Sequence, residues 1–382
     1  MNRTALEFRL DHYLGCVANH IPQALVPNAS LKTIREFAST IPGDVTSFFG
    51  FECPLSATLH HADFLICSTR LEGHSRILAG RHPKLALPEA LFEHPAWRSV
   101  RAFCREWECD RSELHEALFN IWLEFDVDQN RQNRLFTPNI FFGTQPPALD
   151  DVHRRQEAST FVRLAAGHLL PDATVGARGE LLDRLFASLP GDSYVFQVGA
   201  MLARPAAAIR ICIRGFEVSS IVDFLLTLGW SGGCSSLSAV LAELSPLADR
   251  IDLDLDLDEA VGSKIGMECY LVAESGDNQR LRSFVSYLVE RNLCSVEKAE
   301  ALLGYQGIDL QDAAPTSWPA YLHKGAALRG DDVASLMHRW VHHIKVVHQL
   351  DQPLSAKAYL AAEHHFISRA AIRSAAESAL GN

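Results

Sequence analysis

Apolar and polar residues alternate with a period of two along five stretches of the chain, and this pattern is typical of half-buried β-strands. Each stretch is long enough for two adjacent strands joined by a turn. The five stretches lie at about 48–69, 121–142, 194–214, 251–272 and 341–362. The sequence therefore predicts five β-hairpins, which is ten strands in all.

The segments between the hairpins carry apolar residues three and four positions apart, as helices with one buried face do. The predicted helices lie at 89–106, 154–170, 178–189, 217–228, 236–247, 278–290 and 295–303. Ten antiparallel strands can remove their free edges by closing into a barrel, and the helices can then cover its outside. We therefore predict an α/β fold of repeated αββα units, in which a ten-stranded antiparallel barrel has helices outside and a polar lumen.

The chain has 382 residues and no Ser/Gly-rich linker, so we predict a single domain over 1–382. Within it we expect a helical segment at 1–45, the five-hairpin barrel at 46–362 and a C-terminal helix at 363–382. The least regular stretches are 81–88, 144–151 and 305–330. The last of these is long enough to be a lid or a binding loop, although an ordinary insertion is an equal alternative.

Composition and charge exclude several classes of protein. The chain is 48% hydrophobic and can bury a large core, but it has no run of about 18 apolar residues that would predict a membrane span. Its charged N-terminus lacks the apolar core of a signal peptide, so we expect a cytoplasmic protein. The formal net charge of −11, without a Lys/Arg cluster, argues against nucleic acid as a partner. The nine cysteines show no CxxC spacing and are predicted to be core residues.

The predicted inner face of the barrel is rich in ionisable residues. In the stretch 251–257 the split is clear, because Asp252, Asp254 and Asp256 alternate with aliphatic residues. The same alternation places these further residues on inward faces: Glu52, Glu124, Asp126, Asp128, Arg210, Cys212, Arg214, Lys264, Glu268, Tyr270, His343, Lys345, Lys357 and Tyr359. For any one strand, an ordinary solvent-exposed face is the simpler interpretation. If the sheet closes, however, the polar faces converge on one cavity, where crowded carboxylates raise one another's pKa values and suit acid–base chemistry.

Histidines occur in three adjacent pairs, at positions 60–61, 342–343 and 364–365. Neighbouring residues on a strand point to opposite faces, so no such pair is predicted to chelate a metal by itself. His343 falls on the inward face, where it could shuttle protons or simply be a hydrogen-bonded strand residue. No GxSxG, GxxxxGK[ST], GxGxxG or HExxH string occurs, and no organic cofactor is predicted.

The αββα repeat with a polar-lined ten-stranded barrel resembles the ABBA, or PT-barrel, prenyltransferases over about 45–362. These include bacterial aromatic, fungal indole and cyanobactin peptide prenyltransferases. The resemblance is one of architecture, and the chain lacks the DDxxD motif, as those enzymes do. It implies transfer of a prenyl group from an allylic diphosphate to an aromatic small molecule or a peptide side chain, as in the tailoring of natural products and ribosomal peptides.

The resemblance also implies roles for individual residues. Basic and tyrosine side chains inside such barrels hold the diphosphate, because the leaving-group charge must be neutralised. The residues that match this role are Arg210, Arg214, Lys264, Tyr270, Lys345, Lys357 and Tyr359. A glutamate on the first strand takes a proton from the acceptor or anchors its N–H group, and Glu52 occupies that place. We add Glu124, Asp126 and Glu268 as candidate acid–base residues and Asp254 as a substrate-binding residue.

By this count carboxylates outnumber cations inside the barrel, whereas a diphosphate site should be more basic. The acidic side could bind Mg²⁺ bridging the diphosphate, or a cationic acceptor such as a guanidinium or an amine. Alternatively, the barrel does not use diphosphate and acts on a peptide or small molecule by proton transfer through Glu124, Asp126, Asp254 and Glu268. A further alternative is a non-catalytic protein that binds a peptide or a partner enzyme at the barrel mouth.

Overall fold

A computed structural model of the chain describes residues 8–127, 136–144, 152–204, 209–271, 279–313 and 318–372. The strands are β1 (Phe48–Pro54), β2 (Asp63–Thr69), β3 (Leu118–Phe125), β4 (Pro138–Thr144), β5 (Tyr194–Ala200), β6 (Ile209–Arg214), β7 (Arg250–Leu257), β8 (Val261–Tyr270), β9 (Gly307–Leu310), β10 (Val333–Gln349) and β11 (Ser355–Ser368). The five predicted hairpins supply all of them except β9.

Ten of these strands form a closed ring. Strands β1 to β8 pair in chain order, β8 pairs with β10, β10 pairs with β11, and β11 pairs back onto β1. Every pairing in the ring is antiparallel. The predicted ten-stranded barrel is therefore confirmed, and closure leaves no edge strand within the ring.

The helices are α1 (Leu10–Val17), α2 (Asn28–Ala38), α3 (His74–Leu78), α4 (Pro95–Trp107), α5 (Glu113–Ala117), α6 (Val152–Gly167), α7 (Asp172–Ser188), α8 (Ile221–Thr227), α9 (Cys234–Leu244), α10 (Gln279–Glu290), α11 (Val296–Leu303) and α12 (Ala320–Arg329). Among the residues that the structure describes, no helix combines the length and apolar character needed to cross a bilayer.

Helix α4 illustrates how the helices cover the barrel. Its Trp97 ring lies 6.0 Å from that of Phe125 on β3, and its Phe103 ring lies 5.6 Å from that of Phe142 on β4. All four side chains belong to one continuous hydrophobic core. Complete burial of an aromatic side chain of this size stabilises a fold by about 1.5–3 kcal/mol. The apolar strand faces therefore point outward, as the alternation predicts.

The polarity of β7 follows from this packing. Leu253 and Leu255 are fully buried in the core between the sheet and the helices, so the aspartates that alternate with them must point into the barrel. Asp252 is also fully buried, and Asp254 is 5% exposed. These carboxylates are therefore enclosed by the barrel and do not form an ordinary solvent-exposed face.

The chain differs from the prediction in two places. The helix predicted at 363–382 is wrong over 363–368, because β11 continues to Ser368, where it still pairs with Val333 of the equally extended β10. Residues 369–372 are helical, and 373–382 lie outside the described residues. The irregular stretch predicted at 305–330 contains β9 and α12, and β9 pairs with β10 outside the ring. Most of 144–151 lies outside the described residues.

Candidate active site inside the barrel

A cavity of about 630 Å³ lies inside the barrel, a volume that suits a small organic ligand. Its wall combines aromatic rings with charged side chains. The rings belong to Phe48, Phe119, Trp122, Phe141, Tyr194, Phe196, Tyr270, His342, His343 and Tyr359. The charged residues on its wall are Glu124, Arg210, Arg214, Asp254, Glu268 and Lys345. Each of these six lies on the face that the sequence alternation assigns to the lumen.

Three β-bulges add residues to this wall. The strand register skips one residue in β3, in β5 and in β10, at Phe119, Phe196 and His342 respectively. A bulge shifts the alternation by one position, so two consecutive residues can face the same side of the sheet. At each of the three bulges, the bulged residue and the next residue both line the cavity. The prediction that His342 and His343 point to opposite faces is therefore wrong.

The three cations on the wall are already paired with carboxylates. Arg210 donates two hydrogen bonds to Asp256, at 2.8 and 3.1 Å, and lies 3.6 Å from Asp254. Arg214 donates to the buried Asp252 at 2.9 Å. A diphosphate entering this cavity must therefore compete with internal anions for each guanidinium group.

Lys345 is paired in the same way. Its ammonium group donates to Asp254 and lies 3.6 Å from Glu268. Burial acts to lower the pKa of Lys345, but these carboxylates outweigh it and the pKa is raised, so the side chain is charged. Gly266 makes room for it, because a Cβ atom there would lie 2.5 Å from Lys345 Cε.

Glu52, Lys357 and Tyr359 form a cluster on β1 and β11. The Lys357 ammonium group and the Tyr359 hydroxyl both donate to the Glu52 carboxylate, the hydroxyl at 2.6 Å. Burial acts to raise the pKa of Glu52, but Lys357 and Tyr359 together lower it to about 2. Both oxygens of this carboxylate are thus occupied, and neither Glu52 nor Lys357 lines the cavity. Whether Glu52 takes a proton from an acceptor remains a prediction.

Glu124 is the least constrained carboxylate on the wall. In the part of the chain that the structure describes, it has no hydrogen-bonding or ion-pair partner. Burial, with a further contribution from Glu52, raises the pKa of Glu124 to about 8. It is therefore mainly protonated at neutral pH.

The pKa of Glu268 is raised less than that of Glu124, and more polar groups lie close to its carboxylate. Burial raises its pKa to about 7, although Lys345 acts in the opposite direction. The Tyr270 hydroxyl donates to one of its oxygens at 3.2 Å, and His343 Nε2 lies 4.0 Å from the other. Of the two cavity-lining glutamates, Glu268 is thus the one that is substantially ionised near neutral pH.

Besides Glu52 and Lys357, two more of the predicted site residues lie away from the cavity wall. Asp126 pairs with Arg204 at 3.4 Å, and both side chains are about two-fifths exposed. Lys264 is exposed, because it lies close to the turn between β7 and β8. Asp128 lies outside the described residues.

Among the described residues, Cys212, Asp254 and Glu268 place three possible metal-ligand atoms within 4.8 Å of one another. Mg²⁺ prefers oxygen ligands, however, and the thiol of the buried Cys212 has a pKa well above its ordinary value. Lys345 also already places a positive charge between the two carboxylates. These residues do not fit a dedicated Mg²⁺ site, so no step below uses a protein-bound metal.

No protein-family model and no curated protein matches the sequence. Among solved structures, the apo form of the prenyltransferase PriB matches with a TM-score of 0.51 and 14% identity, over 93% of this chain and 95% of that chain. PriB bound to its product diphosphate matches with a TM-score of 0.50 and 13% identity, over the same shares of both chains. PriB with L-tryptophan and dimethylallyl thiolodiphosphate gives 0.50 and 12%, again over the same shares. The chain therefore has the ABBA-barrel fold.

Proposed function

We propose that the protein transfers a prenyl group from an allylic diphosphate to an aromatic acceptor held inside the barrel. The observation that carries this proposal is a cavity whose wall places Arg210, Arg214 and Lys345 among aromatic rings. Support also comes from the shared fold, because PriB is a prenyltransferase whose structures hold its product diphosphate in one case and L-tryptophan with dimethylallyl thiolodiphosphate in another.

The wall suits both halves of the reaction. When the C–O bond of the donor breaks, the guanidinium and ammonium groups neutralise the leaving diphosphate. The faces of the surrounding rings stabilise the allyl cation, and the enclosed cavity limits its capture by water. Arg214 shows how closely the two kinds of group are combined, since its guanidinium carbon lies 4.2 Å from the centre of the Phe196 ring.

The protonation state of Glu124 changes the net charge of the cavity wall. With Glu124 protonated, the charged groups on the wall are the three cations and the two carboxylates Asp254 and Glu268, and ionisation of Glu124 would add a third negative charge. Asp252 and Asp256 do not line the cavity, but each pairs with one of the two arginines and holds it in place. Donor binding should therefore be favoured when Glu124 is neutral, and Mg²⁺ arriving with the diphosphate would add positive charge from the ligand side.

A second candidate function is proton-transfer catalysis on a small molecule or peptide without diphosphate. It is favoured by the pairing of every cation on the cavity wall with an internal carboxylate. In this case Glu124 and Glu268 would act as the acid and the base. The two candidates differ in one measurable property, since only the first requires the cavity to bind a diphosphate.

Calorimetric titration with dimethylallyl, geranyl and farnesyl diphosphates, with and without Mg²⁺, tests the proposal. We expect saturable binding that is lost in Lys345→Met and kept in Lys264→Met. Lys264 is a matched control because it is an exposed lysine on the strand next to Lys345. A folded wild-type protein that binds none of the three diphosphates would refute prenyl transfer and leave the proton-transfer function.

A further inference from the structure

His342 and His343 form a pair that the proposed prenyl transfer has not yet used. They lie where β10 exchanges one neighbour for another, between its pairing with β9 at 336–339 and its pairing with β8 at 344–349. The bulge at this point turns both rings into the cavity. Their Nδ1 atoms are 2.8 Å apart, which is a hydrogen-bonding distance.

The second nitrogen of His343 faces a carboxylate. His343 Nε2 is buried, has no hydrogen-bonding partner among the described residues, and lies 4.0 Å from an oxygen of Glu268. The ring is stacked between Tyr359, at 4.1 Å between centroids, and Tyr270, at 5.0 Å. Because these two rings fix its plane, His343 keeps one nitrogen on His342 and the other towards Glu268.

The hydrogen bond between the two Nδ1 atoms can run in either direction, so His342, His343 and Glu268 together have two protonation states. If His342 donates its Nδ1 proton to His343, then neutral His343 carries its own proton on Nε2, and this N–H group faces an ionised Glu268. If His343 instead donates its Nδ1 proton to His342, then His343 Nε2 is an acceptor, and it faces a protonated Glu268. With both histidines neutral, the second state holds one proton more than the first, because His342 then carries its proton on Nε2 while Glu268 is protonated. Both histidines must be neutral in these states, and burial does lower the pKa of each, to about 4 for His342.

We propose that His342 and His343 relay the proton lost by the prenylated acceptor to Glu268. This inference rests on the proposed function. The allyl carbon bonds to an aromatic carbon of the acceptor, and the diphosphate leaves with the C–O electron pair. The ring C–H bond then breaks, its electrons restore aromaticity, and the proton goes to His342 Nε2. The Nδ1 proton of His342 passes to His343, and the Nε2 proton of His343 passes to the Glu268 carboxylate.

This relay differs from the role that the family resemblance implies for Glu52. Both oxygens of Glu52 are occupied by Lys357 and Tyr359, and Glu52 does not line the cavity. Other groups also act on the relay. Lys345, Tyr270, Asp254, Asp252 and Cys212 face Glu268, and Arg214 and Arg250 face the two histidines. The ammonium group of Lys345 keeps part of Glu268 ionised and therefore able to accept a proton.

The test uses the full-length protein, an aromatic acceptor that the wild type prenylates, and an allylic diphosphate labelled with ¹⁸O at the bridging oxygen. Product formation reports the whole reaction. Movement of ¹⁸O to non-bridging positions reports cleavage of the C–O bond followed by return. The variants are His342→Gln, His343→Gln and Glu268→Gln, and His338→Gln is the matched control because it is an exposed histidine on the same strand.

We expect each of the three relay variants to lose about 100-fold or more in product formation, the usual scale for removing a general base. Donor binding by the two histidine variants should match that of the wild type, and isotope movement per product formed should rise, because an intermediate that keeps its proton returns to the ester. In the wild type, kcat should fall as the pH drops below about 7, where Glu268 takes up a proton. Glu268→Gln should lack this fall.

Two results would overturn the relay while leaving prenyl transfer intact. One is a wild-type product rate in His342→Gln and His343→Gln, both verified as folded by thermal melting. The other is an equal loss of product formation and of isotope movement, which would place the defect before proton loss. A wild-type protein that neither forms product nor moves the label would refute the proposed function together with the relay.

Discussion

Replacing Glu124 by glutamine should stabilise the protein at alkaline pH and have little effect at acidic pH. The side chain lines the cavity and has no hydrogen-bonding or ion-pair partner within the described residues. Burial raises its pKa from an ordinary value of 4.5 to about 8. In the folded protein, ionisation of Glu124 is therefore unfavourable, whereas in the unfolded chain it is not.

The sign and size of the effect follow from proton linkage. Between pH 4.5 and 8 the folded protein holds a proton on Glu124 that the unfolded chain has lost, so the free energy of unfolding decreases as the pH rises. One pKa unit corresponds to about 1.4 kcal/mol, which gives an upper limit of roughly 5 kcal/mol. Because Glu124 is only partly buried, we expect roughly 2–3 kcal/mol. Glutamine keeps the shape of the neutral acid and does not ionise.

The assay is urea denaturation of the wild type and of Glu124→Gln at pH 4.5 and pH 8. The difference in the free energy of unfolding should be close to zero at pH 4.5 and should favour the variant at pH 8. Glu116→Gln serves as the control, because this side chain is 88% exposed and should give no pH-dependent difference. An equal difference between variant and wild type at both pH values would show that Glu124 is ionised without penalty, and the reasoning would be refuted.

Three further predictions concern the donor site and the frame around it. Donor affinity, measured by calorimetry, should fall as the pH rises from 7 to 9 and Glu124 ionises, by up to about tenfold per pH unit, and Glu124→Gln should not show this fall. Gly266→Ala should weaken donor binding, because the new Cβ atom would lie 2.5 Å from Lys345 Cε, whereas Gly304→Ala should leave calorimetric affinity unchanged. Arg339→Met should destabilise the fold by about 3–5 kcal/mol, because it leaves the Asp309 carboxylate without its bidentate partner. Thermal melting measures this loss, and Arg329→Met, at an exposed position, should not show it.

The architecture could be predicted because hydrophobic periodicity and barrel closure constrain each other. In β7, strict alternation of leucine and aspartate leaves only one way to bury the leucines under helices, and that choice sends the aspartates inward. The same logic correctly places Arg210 and Lys345 on the inner face of strands that are distant in sequence. Alternation assigns a side to each residue, so it finds the members of the site before it can show which of them meet.

The sequence could not show where alternation breaks. Phe119, Phe196 and His342 reach the cavity because a bulge in each strand adds one residue relative to its partner. A bulge depends on the register between two strands, and register is a tertiary property that a single strand's pattern does not contain. The ion pairs were also hidden, because alternation cannot show that Asp256 lies beside Arg210 or that Lys357 occupies Glu52.

The surplus of carboxylates in the sequence is the strongest argument against a diphosphate site, and the structure weakens it in two ways. Glu52 and Asp126 do not line the cavity, and neither do Asp252 and Asp256, which pair with the two arginines. Of the three carboxylates that remain, Glu124 is neutral below about pH 8. Below about pH 8 Glu124 thus adds no negative charge to the wall that a donor meets, and its ionisation at higher pH makes the wall more acidic. An acidic sequence and an anionic substrate are compatible here because burial, rather than composition, decides which carboxylates carry charge.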